Sequence, residues 1–292
     1  MSQTILITGT STGFGKLIAQ TAASKGHHVI ATMRGVDGKN KGQAEALRKY
    51  GQESAGSIAV FEMDVATDDS VLTAIDKIKA EYKEIDVLVN NAGIGGGGLT
   101  EGFTVSQFDQ IMNVNVTGVH RVVRGILPIM RKKDQGLIIN ISSVMGRIII
   151  PFATAYTTSK FALEGYSESL RYELKGLGID VSIVEPGGFG TNFFGNMLPP
   201  EDASVLQSYG SYNDVPQQMW GGFSEAMSAD DAPNPQIVAD AVDDLINLKS
   251  GSRPARVVVD PMSGGEAPAA INGMTDEIQK GLLQSFGLTE AF

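Results

Sequence analysis

Tyr156 and Lys160 stand four residues apart at the end of the segment "SSVMGRIIIPFATAYTTSK", which runs from Ser142 to Lys160. On a helix, positions i and i+4 share a face, so the phenol and the ammonium point the same way. A free tyrosine ionises near pH ~10, too high for a good base at neutrality. A neighbouring ammonium favours the phenolate and is expected to pull that value down. The pair can then act as general acid or base on an alcohol or a carbonyl. Ser143, earlier in the same segment, can donate a hydrogen bond to the same oxygen. A Tyr-x-x-x-Lys pair alone arises by chance on many helices, so its meaning rests on the elements that position it.

The first such element opens the chain. In "TILITGTSTGFGK", Thr4 to Lys16, an apolar run breaks into Gly9, Gly13 and Gly15 with Ser11, Thr12 and Phe14 between them. The spacing G-x-x-x-G-x-G, after a strand pattern and before a helix pattern, suits a tight turn, a close approach to a ligand and a helix packed on its strand. The N–H groups at that helix start would face a pyrophosphate. The second strand, "HVIATMRG", ends in Arg34 and carries no acid. A site for NAD wants a carboxylate there for the ribose hydroxyl, whereas a guanidinium grips a 2′-phosphate. NADP(H) is therefore favoured, with NAD(H) as the alternative. Lys39 and Lys41 add positive charge nearby. Asp64 and Val65 follow the third strand, where Asp64 would either accept a hydrogen bond from adenine or cap the next helix. Asn91, Ala92 and Gly93 follow the fourth, where small residues let a cofactor lie close.

Seven strand patterns and six helical ones alternate along the chain. The strands are expected at Thr4–Thr8, His28–Met33, Ser57–Glu62, Asp86–Asn90, Gly136–Ile141, Asp180–Glu185 and Arg256–Val259. The helices are expected at Gly13–Lys25, Lys41–Tyr50, Asp68–Tyr82, Ser106–Arg131, Thr154–Leu177 and Pro235–Leu248. Runs such as "DVLVN" and "LIINI" are apolar throughout, as parallel strands buried on both faces are. The pattern predicts an α/β protein: a single-domain Rossmann fold over 1–292, with a doubly wound parallel sheet of about seven strands and helices on both faces. Ligands bind at the carboxyl ends of such strands, where the motifs fall. Residues 189–235 show weak periodicity and read as an irregular insertion covering the substrate. The stretch after Asp260 has no assignable pattern.

Composition narrows the function. A formal net charge of -10 argues against nucleic acid or an anionic membrane as partner. The chain has no cysteine, which excludes disulfides and thiolate catalysis. No signal-like segment or bilayer-length apolar run is visible, so a cytoplasmic protein without membrane insertion is expected. The glycosylation-type patterns at Asn115 and Asn140 then read as chance matches. His27, His28 and His120 lack ligand spacing, so no metal site is expected.

Taken in order, TGTSTGFG, NNAG, N-V-N-V-T-G, I-S-S, Y-T-T-S-K and P-G-G-F-G-T resemble the motifs of the short-chain dehydrogenases/reductases, over about Thr4 to Phe194. "ATMRG" and "YTTSKFALEGYSESLRYEL" look most like the branch acting on steroids and retinoids. The resemblance implies that Tyr156 is the acid/base, that Lys160 lowers its pKa and holds the nicotinamide ribose, and that Ser143 orients the substrate oxygen. It implies that Asn115 anchors a water in a proton relay, that Asn91 lines the adenosine half, and that Thr191 contacts the carboxamide after the Pro186-Gly187 turn. Phe14 and Phe189 depart from the aliphatic residues usual at their positions, without removing a functional group.

The implied reaction is hydride transfer between a nicotinamide and a carbonyl carbon, on a small-molecule ketone or secondary alcohol. The candidate substrate wall is apolar: Met145, Ile148, Ile149, Phe152, Phe189, Phe193, Phe194, Met197 and Trp220, beside Ser143 and Tyr156. It suits a lipophilic substrate. The long helices at 106–131 and 154–177 resemble those that pair in family homodimers and homotetramers. Two rival readings are a silent cofactor-binding sensor or scaffold, which would show a broken Tyr/Lys/Ser set, and another chemistry on the same fold.

Overall fold

The computed structural model describes residues 2–288, so Met1 and 289–292 of the expected 1–292 domain lie outside the described residues. Seven parallel strands form one sheet in the order β3-β2-β1-β4-β5-β6-β7. They are β1 (Thr4–Thr8), β2 (His28–Met33), β3 (Ser57–Glu62), β4 (Val87–Asn90), β5 (Gly136–Ile141), β6 (Ile179–Pro186) and β7 (Arg256–Val259). The helices are α1 (Gly13–Ser24), α2 (Lys41–Gln52), α3 (Asp68–Glu81), α4 (Val105–Met112), α5 (Gly118–Lys133), α6 (Thr154–Lys175), α7 (Ala203–Ser208), α8 (Asp214–Ala226), α9 (Gln236–Asn247) and α10 (Glu266–Ser285).

The strand alternation decides which helices cover which face. Ile5 and Ile7 of β1 join Val29, Ala31 and Val89 in a core closed by α1, α2 and α9. Leu6, between them, joins Ile30, Leu88 and Ile138 on the other face, under α3, α5 and α6. All three β1 side chains are fully buried. Each contributes about 1.5–3 kcal/mol through burial, and a one-residue slip of β1 would exchange the two faces. The order reverses between β1 and β4, which leaves a crevice at the carboxyl ends of those strands.

Three expectations need correction. The helix read over 106–131 is α4 and α5 joined by a π-helical turn, Asn113–Thr117, that contains Asn115. Such turns insert one residue into the helical repeat, which hydrophobic spacing does not register. Residues 189–235 are not irregular throughout, since α7 and α8 lie within them. Beyond Asp260 stands the 20-residue α10, of which only Pro268 and Asn272 are buried. No helix among the described residues is long and apolar enough to cross a membrane.

Candidate active site

A cavity of about 680 Å³ runs along the carboxyl ends of the central strands. Gly9 forms its floor where β1 ends. Its φ is +71°, and a Cβ there would lie 2.8 Å from the Cα of Ala92. Only glycine combines that backbone with that approach. Gly13 and Phe14 start α1, whose N-cap residue, Thr12, makes no side-chain capping bond. No acidic residue stands in its first turn. The first N–H groups of α1 are thus free to receive an anion, which fits a dinucleotide pyrophosphate. Gly15 does not line the cavity. It lies against Gly9 O and the Asn91 side chain, whose Nδ2 donates to Thr8 O (2.9 Å) and Gly9 O (3.0 Å).

Arg34 lines the cavity at the end of β2, with Lys39 and Asn40 beside it. Asn40 Nδ2 donates to Arg34 O at 2.6 Å, and both carboxylate oxygens of Glu62 accept from Gly35 N (2.8 Å) and Val36 N (2.7 Å). The loop that carries Arg34 is therefore anchored, while its side chain stays half exposed with Nη1 3.8 Å from Asp64 Oδ2. Asp64 Oδ1 accepts from Ala66 N at 3.0 Å. Asp64 thus closes a tight turn and does not cap α3, whose N-cap is Thr67. Asn40 and Glu62 were not singled out from the sequence. A helix-start Asn and a strand-end Glu carry no distinguishing spacing.

At the other end, β5, β6 and α6 bring Ser143, Tyr156 and Lys160 to one wall. Ser143 Oγ accepts from Met145 N (3.1 Å), which fixes it at the head of a short 3₁₀ turn, and lies 3.4 Å from Pro186 O. Lys160 Nζ donates to Ile141 O (2.9 Å) and sits 5.5 Å from the centre of the Tyr156 ring. The net shift of the phenol is upward and not downward, because burial dominates. Burial pushes Tyr156 up to about 12, with the Ser143 hydroxyl acting in the opposite sense. Burial likewise lowers Lys160 to about 8, with Glu164 opposing. Desolvation penalises both charged forms.

Asn115 stands behind the cavity. Its Oδ1 accepts from Ile94 N and its Nδ2 donates to Ile94 O and Ser159 Oγ, all at 2.9 Å. Ser159 Oγ in turn donates to Tyr156 O at 2.7 Å. The π-helical turn thus ties the loop after β4 to the helix that carries Tyr156. A Cβ on Gly93 would lie 3.3 Å from Asn115 Oδ1 and 3.9 Å from Lys160 Nζ, so both face the same small space.

Asn91, Ala92, Gly93, Val65, Pro186, Gly187, Phe189 and Thr191 all line the cavity, as do Ser11 and Thr12. Phe14 and Phe189 meet edge to face at 5.4 Å, so the two departures from the aliphatic pattern pack on each other. Of the predicted wall, Met145, Phe193, Phe194, Met197 and Trp220 line the cavity, joined by Ile150, Leu198 and Phe223. Phe193 contacts Tyr156 at 5.3 Å and Phe194 at 5.6 Å between ring centres, and Phe194 contacts Phe223 at 5.2 Å. Phe152 does not line it. With φ +61° its ring turns to Tyr212, and its carbonyl accepts from Gly98 N (2.8 Å) and Trp220 Nε1 (3.1 Å). Ile148 lies outside the lining as well, and Ile149 is exposed.

Comparison with known proteins gives a consistent result. A family model described as "short chain dehydrogenase" matches residues 3–202. A 3-ketodihydrosphingosine reductase of Bacteroides thetaiotaomicron is 41% identical over 194 residues, which is 66% of each chain. Retinol dehydrogenase 8 of Homo sapiens is 35% identical over 263 residues, covering 86% of this chain and 79% of that protein. A metagenomic short-chain oxidoreductase crystallised in complex with NADP superposes with a TM-score of 0.69 at 27% identity, covering 89% of this chain and 97% of that one.

Proposed function

The chain belongs to the short-chain dehydrogenase family and is an NAD(P)-dependent oxidoreductase; from that premise we propose that it is an NADP(H)-preferring reductase of lipophilic ketones, with Tyr156 as the proton donor. The observation that carries this reading is the convergence of Ser143, Tyr156 and Lys160 on one wall of the cavity, with Lys160 Nζ 5.5 Å from the centre of the Tyr156 ring. A phenol held at about 12 keeps its proton at neutrality, and the cavity wall beside it is aromatic and aliphatic. Bound nicotinamide would supply the hydride to the carbonyl carbon. Tyr156 Oη–H gives its proton to the carbonyl oxygen as charge develops there, and Ser143 Oγ–H steadies the same oxygen. The Lys160 ammonium, 5.5 Å from the ring centre, stabilises the phenolate left behind. Asn115, facing the same space as Lys160 Nζ, is the candidate to position a water that returns the proton. The reverse reaction needs Tyr156 as base and gains from higher pH.

The cofactor preference rests on Arg34 with Lys39, two cations at the end of β2 where a carboxylate would favour NAD. Phe193, Phe194, Trp220 and Phe223, from the segment 189–235, roof the substrate end and select against polar substrates. The test is a titration with NADPH and with NADH. We expect at least tenfold tighter NADPH binding, about 1.4 kcal/mol, which Arg34→Ala removes while NADH binding stays unchanged. Equal binding of the two in the unaltered protein would reject the preference. Absence of binding to either would reject the enzymatic reading.

A further inference from the structure

Behind Lys160, away from the cavity, one guanidinium is shared among four carboxylates. Arg256 Nε lies 3.1 Å from Glu164 Oε2 and 3.6 Å from Glu185 Oε1, Nη2 lies 2.7 Å from Glu168 Oε2, and Nη1 lies 3.3 Å from Asp276 Oδ1. Glu164 and Glu185 are buried, Glu185 completely. Nε carries one hydrogen, and the shorter distance assigns it to Glu164. Glu185 Oε1 and Asn272 Oδ1 are then buried acceptors with no hydrogen-bond donor among the described residues, whereas the Ser142 hydroxyl lies beside Glu164 and can donate to it. Two crowded acceptors lack hydrogen, and two buried carboxylates lean on a guanidinium already paired elsewhere. A second cation, Arg147, faces both acids, but its Nη2 donates to Thr275 Oγ1 at 2.8 Å and its Nε has no partner among the described residues.

The arrangement involves α10. Asn272 Nδ2 donates to Glu185 Oε2 at 2.7 Å, and Asn272 is one of only two buried residues of that helix. Apolar burial therefore contributes little to holding α10 down, and polar contacts to Glu185, Arg256 and Arg147 carry the docking. We infer that Glu164 and Glu185 share one proton in the folded protein, and that this proton keeps α10 fastened, through Asn272, to the helix that bears Tyr156 and Lys160. Placing a hydrogen on the pair turns one acceptor into a donor and removes one of two adjacent buried charges. Without it, two buried anions require water, and α10 is the outermost layer that can lift to admit it. Among the described residues, the titratable and charged groups around the pair are Lys160, Glu168, Arg171 and Tyr172 from α6, Arg147 from the turn after β5, Arg256 from β7 and Asp276 from α10.

Burial and the Glu164 charge raise Glu185 to about 7, so the proton is held near neutrality. A carboxyl raised above its unfolded value stabilises the fold at lower pH, and that contribution is lost as pH rises through about 7. The inference is independent of which substrate or cofactor the enzyme uses. It is tested on the full chain by hydrogen exchange over residues 266–285 between about pH 6 and about pH 8, corrected for intrinsic rates. In the unaltered protein, opening of α10 should rise with pH by up to about tenfold per unit below about 7, where the closed state holds the proton and the open state does not, and should level off above it. Glu185→Gln, which mimics the protonated acid, should remain protected throughout, and Glu164→Gln should also lose the slope. pH-difference infrared spectra should show a protonated carboxyl in the unaltered protein that Glu185→Gln lacks. A slope unchanged in either variant, loss of α10 protection in Glu185→Gln at about pH 6, or no protonated carboxyl band would each overturn the inference.

Discussion

Gly15→Ala puts the dinucleotide-loop geometry under direct test. The added methyl would fall inside contact distance of Asn91 Nδ2 and Gly9 O, and neither can retreat freely. The Asn91 amide bridges Thr8 O and Gly9 O, and Gly9 O belongs to the backbone of the loop itself. Overpacking costs about 1–3 kcal/mol, and displacing the amide forfeits two hydrogen bonds of about 1 kcal/mol each. Replacing a helical glycine returns about 0.5–1 kcal/mol. The net loss is about 2–4 kcal/mol, within the ~5–15 kcal/mol that a domain has in reserve, so the variant should fold and its loss should be measurable by urea unfolding. Gly273→Ala in α10 is the control. Nothing lies within 4 Å of a Cβ there, and only the propensity gain remains, so its midpoint should hold or rise. Displaced Asn91 also shifts the Gly9 carbonyl at the cavity floor, so NADPH affinity should fall at least tenfold in Gly15→Ala and stay level in Gly273→Ala. If Gly15→Ala unfolds at the same urea concentration as the parent and binds NADPH equally, the helix does not approach the loop as described.

Tyr156→Phe should keep NADPH binding and lose about 10²–10⁴ in turnover, measured by cofactor absorbance with a carbonyl panel; turnover within a few-fold of the parent would remove Tyr156 from the proton step. Asn115→Ala cuts the links from Ile94 to Ser159 and should cost about 2–4 kcal/mol, read by chemical unfolding, with a change in the π-helical turn visible as faster exchange over 113–117. His27 is buried, its Nδ1 accepts from Gln3 N at 3.1 Å, and burial holds its pKa below the usual 6.5. The imidazole is neutral when folded, so its contribution is present above about pH 6.5 and lost as pH falls through that value. Thermal unfolding of His27→Gln should therefore depend less on pH than the parent's in that range.

Local spacing was legible. The strand and helix periods, the glycine triplet and the Tyr156–Lys160 step are all relations among residues within one or two turns, and they located the sheet, the loop and two residues that line the cavity together. Five of the seven strands, β1, β2, β3, β5 and β7, have the expected bounds, while β4 begins one residue later and β6 extends one residue further at each end. The π-helical turn escaped because hydrophobic spacing cannot register one inserted residue, and α10 escaped because Pro268, Gly273 and Gly281 lie within it and read against a helix.

What the sequence determined by itself was therefore the set of reactive groups and the order in which strands and helices present them. Tertiary structure decided their state. Tyr156 rises and Lys160 falls because residues from β5, α6 and the 189–235 segment together remove water from both, and desolvation sums over neighbours that no local spacing reveals. The contact of Phe14 with Phe189, the sequestration of Phe152 from the cavity, and the meeting of Glu164, Glu185 and Asn272 around Arg256 likewise join positions far apart in the chain. A residue's type supplies a chemical group, but its charge and its partners follow from burial, which only the packed layers define.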